Sequence, residues 1–201
     1  MNYLAHLFLA QPTADSHFGN LLGDFRRGVS TEQLNVPVRQ GLENHYIVDR
    51  FTDRHDDVKK ARMLFKPDYR RFAPVALDML FDHFLIKHWS QYSNMSFYLF
   101  CQQSFGLLQA RLDEMPALMR NSVSHMITHN WFEKYAQFDG ICQAICAVAN
   151  RIRFENNFAY CIDDIHQNID ELESIFTDFF PTLQTHVLQH SPELKNHILP
   201  E

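Results

Sequence analysis

P-V-A-L-D-M-L-F-D-H-F-L-I-K-H-W, residues 74–89, decides the fold class. Leu77, Leu80, Phe81, Phe84, Leu85 and His88 recur at spacings of three and four, the period of a helix and not of a strand. Pro74 stands where a helix can start, because the first-turn N–H has no intrahelical partner to lose. The spacing predicts a helix from Val75 to about Gln91.

The same period continues on both sides. Asn2–Ala10 reads as a short apolar helix, and G-N-L-L-G-D-F-R-R-G (19–28) as a turn-rich segment with a brief helical middle. Val38–Asp53 is amphipathic, with Leu42, Ile47, Val48 and Phe51 on its apolar side; Val58–Phe65 is a shorter helix stopped by Pro67. Further helices are predicted over Phe97–Leu112, Pro116–Tyr135 and Gly140–Arg151. A long final helix starts near Asp163, with Pro181 marking a break or kink. The tail from 191 to 201 is polar and expected to fray. With no internal repeat or linker, the chain is predicted to form a single all-α domain over 1–201, a helical bundle.

At 46% hydrophobic and 21% charged, the composition is that of an ordinary soluble protein, and most of its eighteen Phe belong in a core. No run approaches the roughly 20 apolar residues of a membrane span. Met1–Ala10 has neither a basic start nor a cleavage-type run of small residues, so the expected location is the cytoplasm, away from membranes. Cys142 and Cys146 lie one helical turn apart among Ile and Ala and read as a buried, reduced pair rather than a metal site. A net charge of −6 argues against a general nucleic-acid binder. Within 54–71, however, seven basic residues (Arg54, Lys59, Lys60, Arg62, Lys66, Arg70, Arg71) face three acids. That stretch is either a solvated helix face or a docking surface for something acidic.

Of twelve histidines, His186, His190 and His197 near the C-terminus are expected to face solvent. His45, Asp49 and Asp53 recur every four residues and share one helical stripe, which is either a set of metal ligands or an exposed polar face. Asp82 and His83 are adjacent in the most apolar helix. A carboxylate there is costly unless it is paired or binds a cation, so the dyad is either metal-binding or part of a buried ion pair. Asp78, one turn earlier, either backs the ligands or is exposed.

Asp24 stands in the glycine-flanked turn beside Arg26 and Arg27, whose guanidinium groups match phosphate oxygens; the alternative for Asp24 is helix capping. His6 faces the same cleft or the core. Mixed imidazole and carboxylate ligands suggest Mn²⁺ or Fe²⁺ before Zn²⁺, with Mg²⁺ also open. Such a centre lowers the pKa of a bound water and clamps a phosphoryl oxygen. The proton then falls to a neighbouring group, for which Asp24, His83 and His6 are the candidates. No G-x-S-x-G, P-loop or dinucleotide fingerprint is present.

Taken together, M-N-Y-L-A-H-L-F-L-A (1–10), G-N-L-L-G-D-F-R-R-G (19–28), H-Y-I-V-D-R-F-T-D (45–53), R-R-F-A-P-V-A-L-D-M-L-F-D-H-F-L-I-K-H-W (70–89) and, more loosely, N-W-F-E-K-Y-A-Q-F-D (130–139) resemble the acyl carrier protein phosphodiesterases, also called ACP hydrolases. The resemblance runs from residue 1 to about 180 and is densest in the first ninety. It implies a helical variant of the HD-domain phosphohydrolase fold, and Mn²⁺-dependent hydrolysis of the phosphodiester between a carrier-protein serine and 4′-phosphopantetheine. The alternative is an HD-type enzyme for a small phosphate ester or nucleotide.

The matching positions are His6, Asp24, His45, Asp49, Asp53, Asp82 and His83. Asp24, His45, Asp49, Asp82 and His83 are expected to bind metal, supported by Asp53 and Asp78. Arg26, Arg27, Arg62, Lys66 and Arg70 are expected on the phosphate or substrate side, where the basic stretch would meet the acidic carrier protein. D-H at 82–83 reverses the usual H-D order, so ligand roles do not transfer directly. Gly23 stands where the family would carry Ala; both are small, and the difference is expected to matter little.

Overall fold

The computed structural model describes residues 1–195, which form thirteen α-helices with no strand among them. The N-terminal part comprises α1 (Tyr3–Phe8), α2 (Ala14–Leu22), α3 (Val36–Arg54), α4 (Asp56–Met63) and α5 (Ala73–Lys87). Next come α6 (Trp89–Tyr92), α7 (Phe97–Gln109), α8 (Ala117–Thr128), α9 (Trp131–Tyr135) and α10 (Phe138–Arg151). α11 (Cys161–Gln167), α12 (Ile169–His190) and α13 (Pro192–Lys195) complete the set. No described helix is long and apolar enough to cross a membrane.

α5 is apolar on nearly every side and is accordingly central. Its Phe81 and Phe84 meet Phe176 of α12 at ring distances of 5.4 and 5.8 Å, and Phe176 stacks on Phe180 at 5.1 Å. All four rings are fully buried. Each contributes roughly 1.5–3 kcal/mol of burial, so this layer fixes where the ends of α1, α3 and α5 converge.

Gly19 and, in α3, Gly41 serve packing rather than turning. A Cβ on Gly19 would lie 2.2 Å from the Val38 carbonyl oxygen, and one on Gly41 would lie 2.7 Å from that of Ser16. α2 therefore continues through Gly19, where the sequence suggested a turn, and lies backbone to backbone against α3. The turn itself comes at Gly28, with φ 79°. Three predicted long helices are also divided, the final one at Asn168 between α11 and α12. Asn130, at φ 45°, separates α8 from α9, and α5 gives way after Lys87 to the single turn of α6. Pro181 lies inside α12 without ending it.

Cys142 is half-buried and Cys146 exposed, unlike the buried pair expected, because α10 turns Ile141 and Ile145 inward instead. His186 is half-buried and stacks on Phe51 at 4.3 Å rather than facing open solvent. The polar tail is ordered at its start: Ser191 and Glu193 are buried, and Asn20 Nδ2 donates to Glu193 at 3.2 Å. His197 and the rest of 196–201 lie outside the described residues.

Candidate metal centre and cleft

α1 has only six residues and could not hold its shape alone. Its N-cap, Asn2, makes no side-chain cap bond; instead the Leu4 and Ala5 N–H groups donate to the two oxygens of Asp82 at 3.1 and 3.0 Å. Asp82 is thus a cap supplied by α5, which explains its burial without a metal. Burial nonetheless pushes its carboxyl up to about 7, against the pull of those two N–H groups.

Docking α1 this way lays His6 against His45 of α3, with stacked rings 4.0 Å apart. His45 Nδ1 donates to the Asn20 carbonyl at 2.7 Å, a contact made possible by the close approach of α2 to α3. A carbonyl only accepts, so Nδ1 carries the proton of that bond. His45 Nε2 lies 3.0 Å from Asp49 Oδ2. His6 Nε2 lies 3.2 Å from Asp49 Oδ1 but off the direction a hydrogen bond needs, and neither ring nitrogen of this fully buried side chain has a hydrogen-bond partner.

Burial, helped by His45, lowers the His6 pKa to about 3, leaving the ring neutral with a lone pair to give. Burial alone would raise Asp49, but its contacts with His45, His6 and the Met1 ammonium outweigh it and hold the carboxyl far below its usual range. A neutral His6 with no hydrogen-bond partner among the described residues thus faces the carboxylate that His45 also faces, and one atom from each of His6, His45 and Asp49 lies within 4.8 Å of the others. Two imidazoles and a carboxylate, one imidazole anchored through its other nitrogen to a carbonyl, are a donor set that fits a divalent transition-metal ion.

Gly23 sits against this group. A Cβ there would lie 2.0 Å from His45 Cδ2 and 2.1 Å from Nε2, so Ala is not interchangeable with Gly at this position, contrary to the sequence expectation. The His45 ring is held on its other side by Asn20 and cannot simply rotate away. Gly23→Ala is expected to lower metal affinity by about 10- to 100-fold, the usual cost of misdirecting a ligand. Calorimetric Mn²⁺ titration checks it; unchanged affinity would mean that His45 is no ligand.

Beside the group opens a cleft of about 490 Å³. The α-amino group of Met1 joins the two, 3.4 Å from Asp49 and 3.0 Å from Asp78 in the cleft wall. Burial disfavours its charge, but Asp78 and Asp49 hold its pKa at about 11. Asp24, in the single 3-10 turn Gly23–Phe25, also lines the cleft. It is open to the cleft yet has protein around most of its carboxylate, and this partial desolvation raises its pKa.

The other expected site residues are dispersed. Asp53 is mostly exposed and pairs with Arg62 at 2.6 Å. The Lys66 N–H donates to Asp164, and Arg70 Nε donates to the Phe65 carbonyl. His83 Nδ1 donates to the Tyr135 carbonyl at 2.8 Å, around the helix from Asp82, so the dyad divides between two tasks. Neither His83 nor any of Arg26, Arg27, Arg62, Lys66 and Arg70 lines the cleft. Lys59, Lys60 and Arg62 of the basic stretch are each matched to a nearby Asp. The cleft instead takes Tyr3, Trp131 and Lys134, which lie inside the matching stretches 1–10 and 130–139 but were not singled out there, and Arg151, which lies in none of them.

Fold and site define a class: an all-helical protein with a buried two-histidine, one-carboxylate group beside a cleft of mixed polarity. The family model for acyl carrier protein phosphodiesterase matches residues 1–183, and the chain belongs to that family. It is similar to the acyl carrier protein phosphodiesterase of Yersinia pestis, 36% identical over 184 residues that cover 91% of this chain and 95% of that protein. The Serratia proteamaculans protein of the same name is 35% identical over the same shares. The Yersinia enterocolitica one is 35% identical over 92% of this chain and 96% of its own length. No solved structure matches the chain.

Proposed function

We propose that this protein hydrolyses the phosphodiester joining 4′-phosphopantetheine to a serine of holo acyl carrier protein, releasing the apo protein and the free prosthetic group. The observation that carries the reading is membership of the acyl carrier protein phosphodiesterase family over nearly the whole chain. The meeting of His45 and Asp49 with a His6 that has no hydrogen-bond partner among the described residues supports a metal-dependent version of it. These three would hold a divalent ion, Mn²⁺ first by donor type, with Fe²⁺ or Mg²⁺ as alternatives. Such an ion supplies a water of lowered pKa and positive charge beside the phosphoryl oxygens.

The chain's own residues do the rest. Asp24, its pKa raised by partial burial, takes a proton from the attacking water at a carboxylate oxygen. The water oxygen bonds to phosphorus as the bond to the serine oxygen breaks, and the serine oxygen leaves with the proton that Asp24 had taken. Asp78, bound to the Met1 ammonium, keeps that charge at the cleft wall. Four free cysteines accord with action in the reducing cytoplasm.

Incubation with holo carrier protein and Mn²⁺, followed by intact-mass measurement, tests the reading. Loss of the prosthetic group's mass, abolished by chelator and by Asp24→Ala, is the expected result. An unchanged carrier protein alongside hydrolysis of a nucleotide or simple diester would favour the small-ester alternative.

A further inference from the structure

We propose that Arg151 and Lys134 form the anion subsite of the cleft, gripping the phosphate while Val75, Trp131 and Val148 line the path of the alkyl–amide arm. This rests on the phosphodiesterase reading above. Positive charge is scarce in this half of the chain: residues 101–201 hold six Lys and Arg against thirteen acids. Of those six, Arg111 pairs with Asp15 and Glu114, and Arg120 donates to the Asp113 and Met115 carbonyls. Arg151 and Lys134 have no ion-pair partner among the described residues, and both line the cleft.

The same cleft is lined by Asp24, Asp78 and Tyr3. The Tyr3 ring is held between Phe25 and Trp131 at 6.2 and 6.3 Å. Two cations in a cleft that opens beside the candidate metal group suit a ligand whose phosphate can meet both charges. The uncharged stem beyond it meets apolar wall. A guanidinium offers paired donors to phosphate oxygens and an ammonium a point charge, so the two together favour a phosphate over a carboxylate. The released monoester carries more negative charge than the diester, so product should be held at least as firmly as substrate.

The test is calorimetric binding of inorganic phosphate and of 4′-phosphopantetheine to the full chain, run beside the mass assay with holo carrier protein. Arg151→Gln and Lys134→Gln, at exposed positions, should keep the wild-type melting temperature and each weaken both ligands by about tenfold or more. Arg151→Lys should recover part of the loss. Arg153→Gln, two residues on and outside the cleft wall, should bind as wild type. Equal binding by wild type and both Gln variants overturns the subsite. So does a wild type that strips holo carrier protein but binds neither ligand, and the function stands. A wild type that binds both ligands through Arg151 and Lys134 but leaves holo carrier protein intact supports the subsite and sinks the substrate reading.

Discussion

Asp49→Asn is expected to remove bound Mn²⁺ and to lower phosphodiesterase activity by more than about 100-fold, beyond the usual cost of losing an outer partner of a metal ligand. The reason is geometric. Among the described residues, Asp49 is the one carboxylate that faces both histidines, with Oδ2 at 3.0 Å from His45 and Oδ1 at 3.2 Å from His6. The amide is nearly isosteric, so packing is kept while one acceptor becomes a donor. That donor would satisfy one imidazole lone pair internally and take it away from any ion. Metal content after dialysis and activity on holo carrier protein measure the two effects separately. Full metal occupancy in the variant would show that the centre lies elsewhere.

Asp82→Ala should act on the fold instead, lowering stability by about 2–5 kcal/mol as two buried N–H groups at the start of α1 lose their acceptors. Against the 5–15 kcal/mol typical of a domain, that is a large share. The effect carries a pH signature. Burial raises the folded-state pKa of Asp82 from 3.8 to about 7, so the folded state binds this proton more tightly than the unfolded one. Its contribution is greatest below pH 4 and falls as pH rises toward 7, by up to about 4 kcal/mol. The stability gap between wild type and Asp82→Ala should therefore be wider at pH 5 than at pH 8. Urea unfolding at both values measures it, and comparing the two proteins cancels opposing groups such as His6. A constant gap would mean that Asp82 stays ionised throughout.

The helical class was legible because Leu and Phe recur at helical spacing in almost every segment, and family membership was legible in the ordered motifs of the first ninety residues. Gly19 misled because a glycine that permits close helix contact looks, in sequence, like one that permits a turn. Asp82 misled for a related reason. The cost of a buried carboxylate was weighed against an ion pair or a metal, whereas the structure meets it with the N–H groups of a helix nearly eighty positions away. His6 was visible only as half of an alternative, since its meeting with His45 depends on how α1 docks. Lys134, inside the loosely matching stretch 130–139, and Arg151, outside every such stretch, were not singled out, because what sets them apart is lining the cleft without a partner, a property of the assembled chain.

The cap on α1 also bears on how the protein is made. A six-residue helix with no side-chain cap of its own gains its acceptor only when Asp82 exists and α5 has formed. During synthesis the segment carrying His6 therefore waits, unanchored, while nearly eighty further residues are made. A segment made well before its cap can take its place only afterwards, and assembly of the centre becomes a late report that α1 and α5 have met.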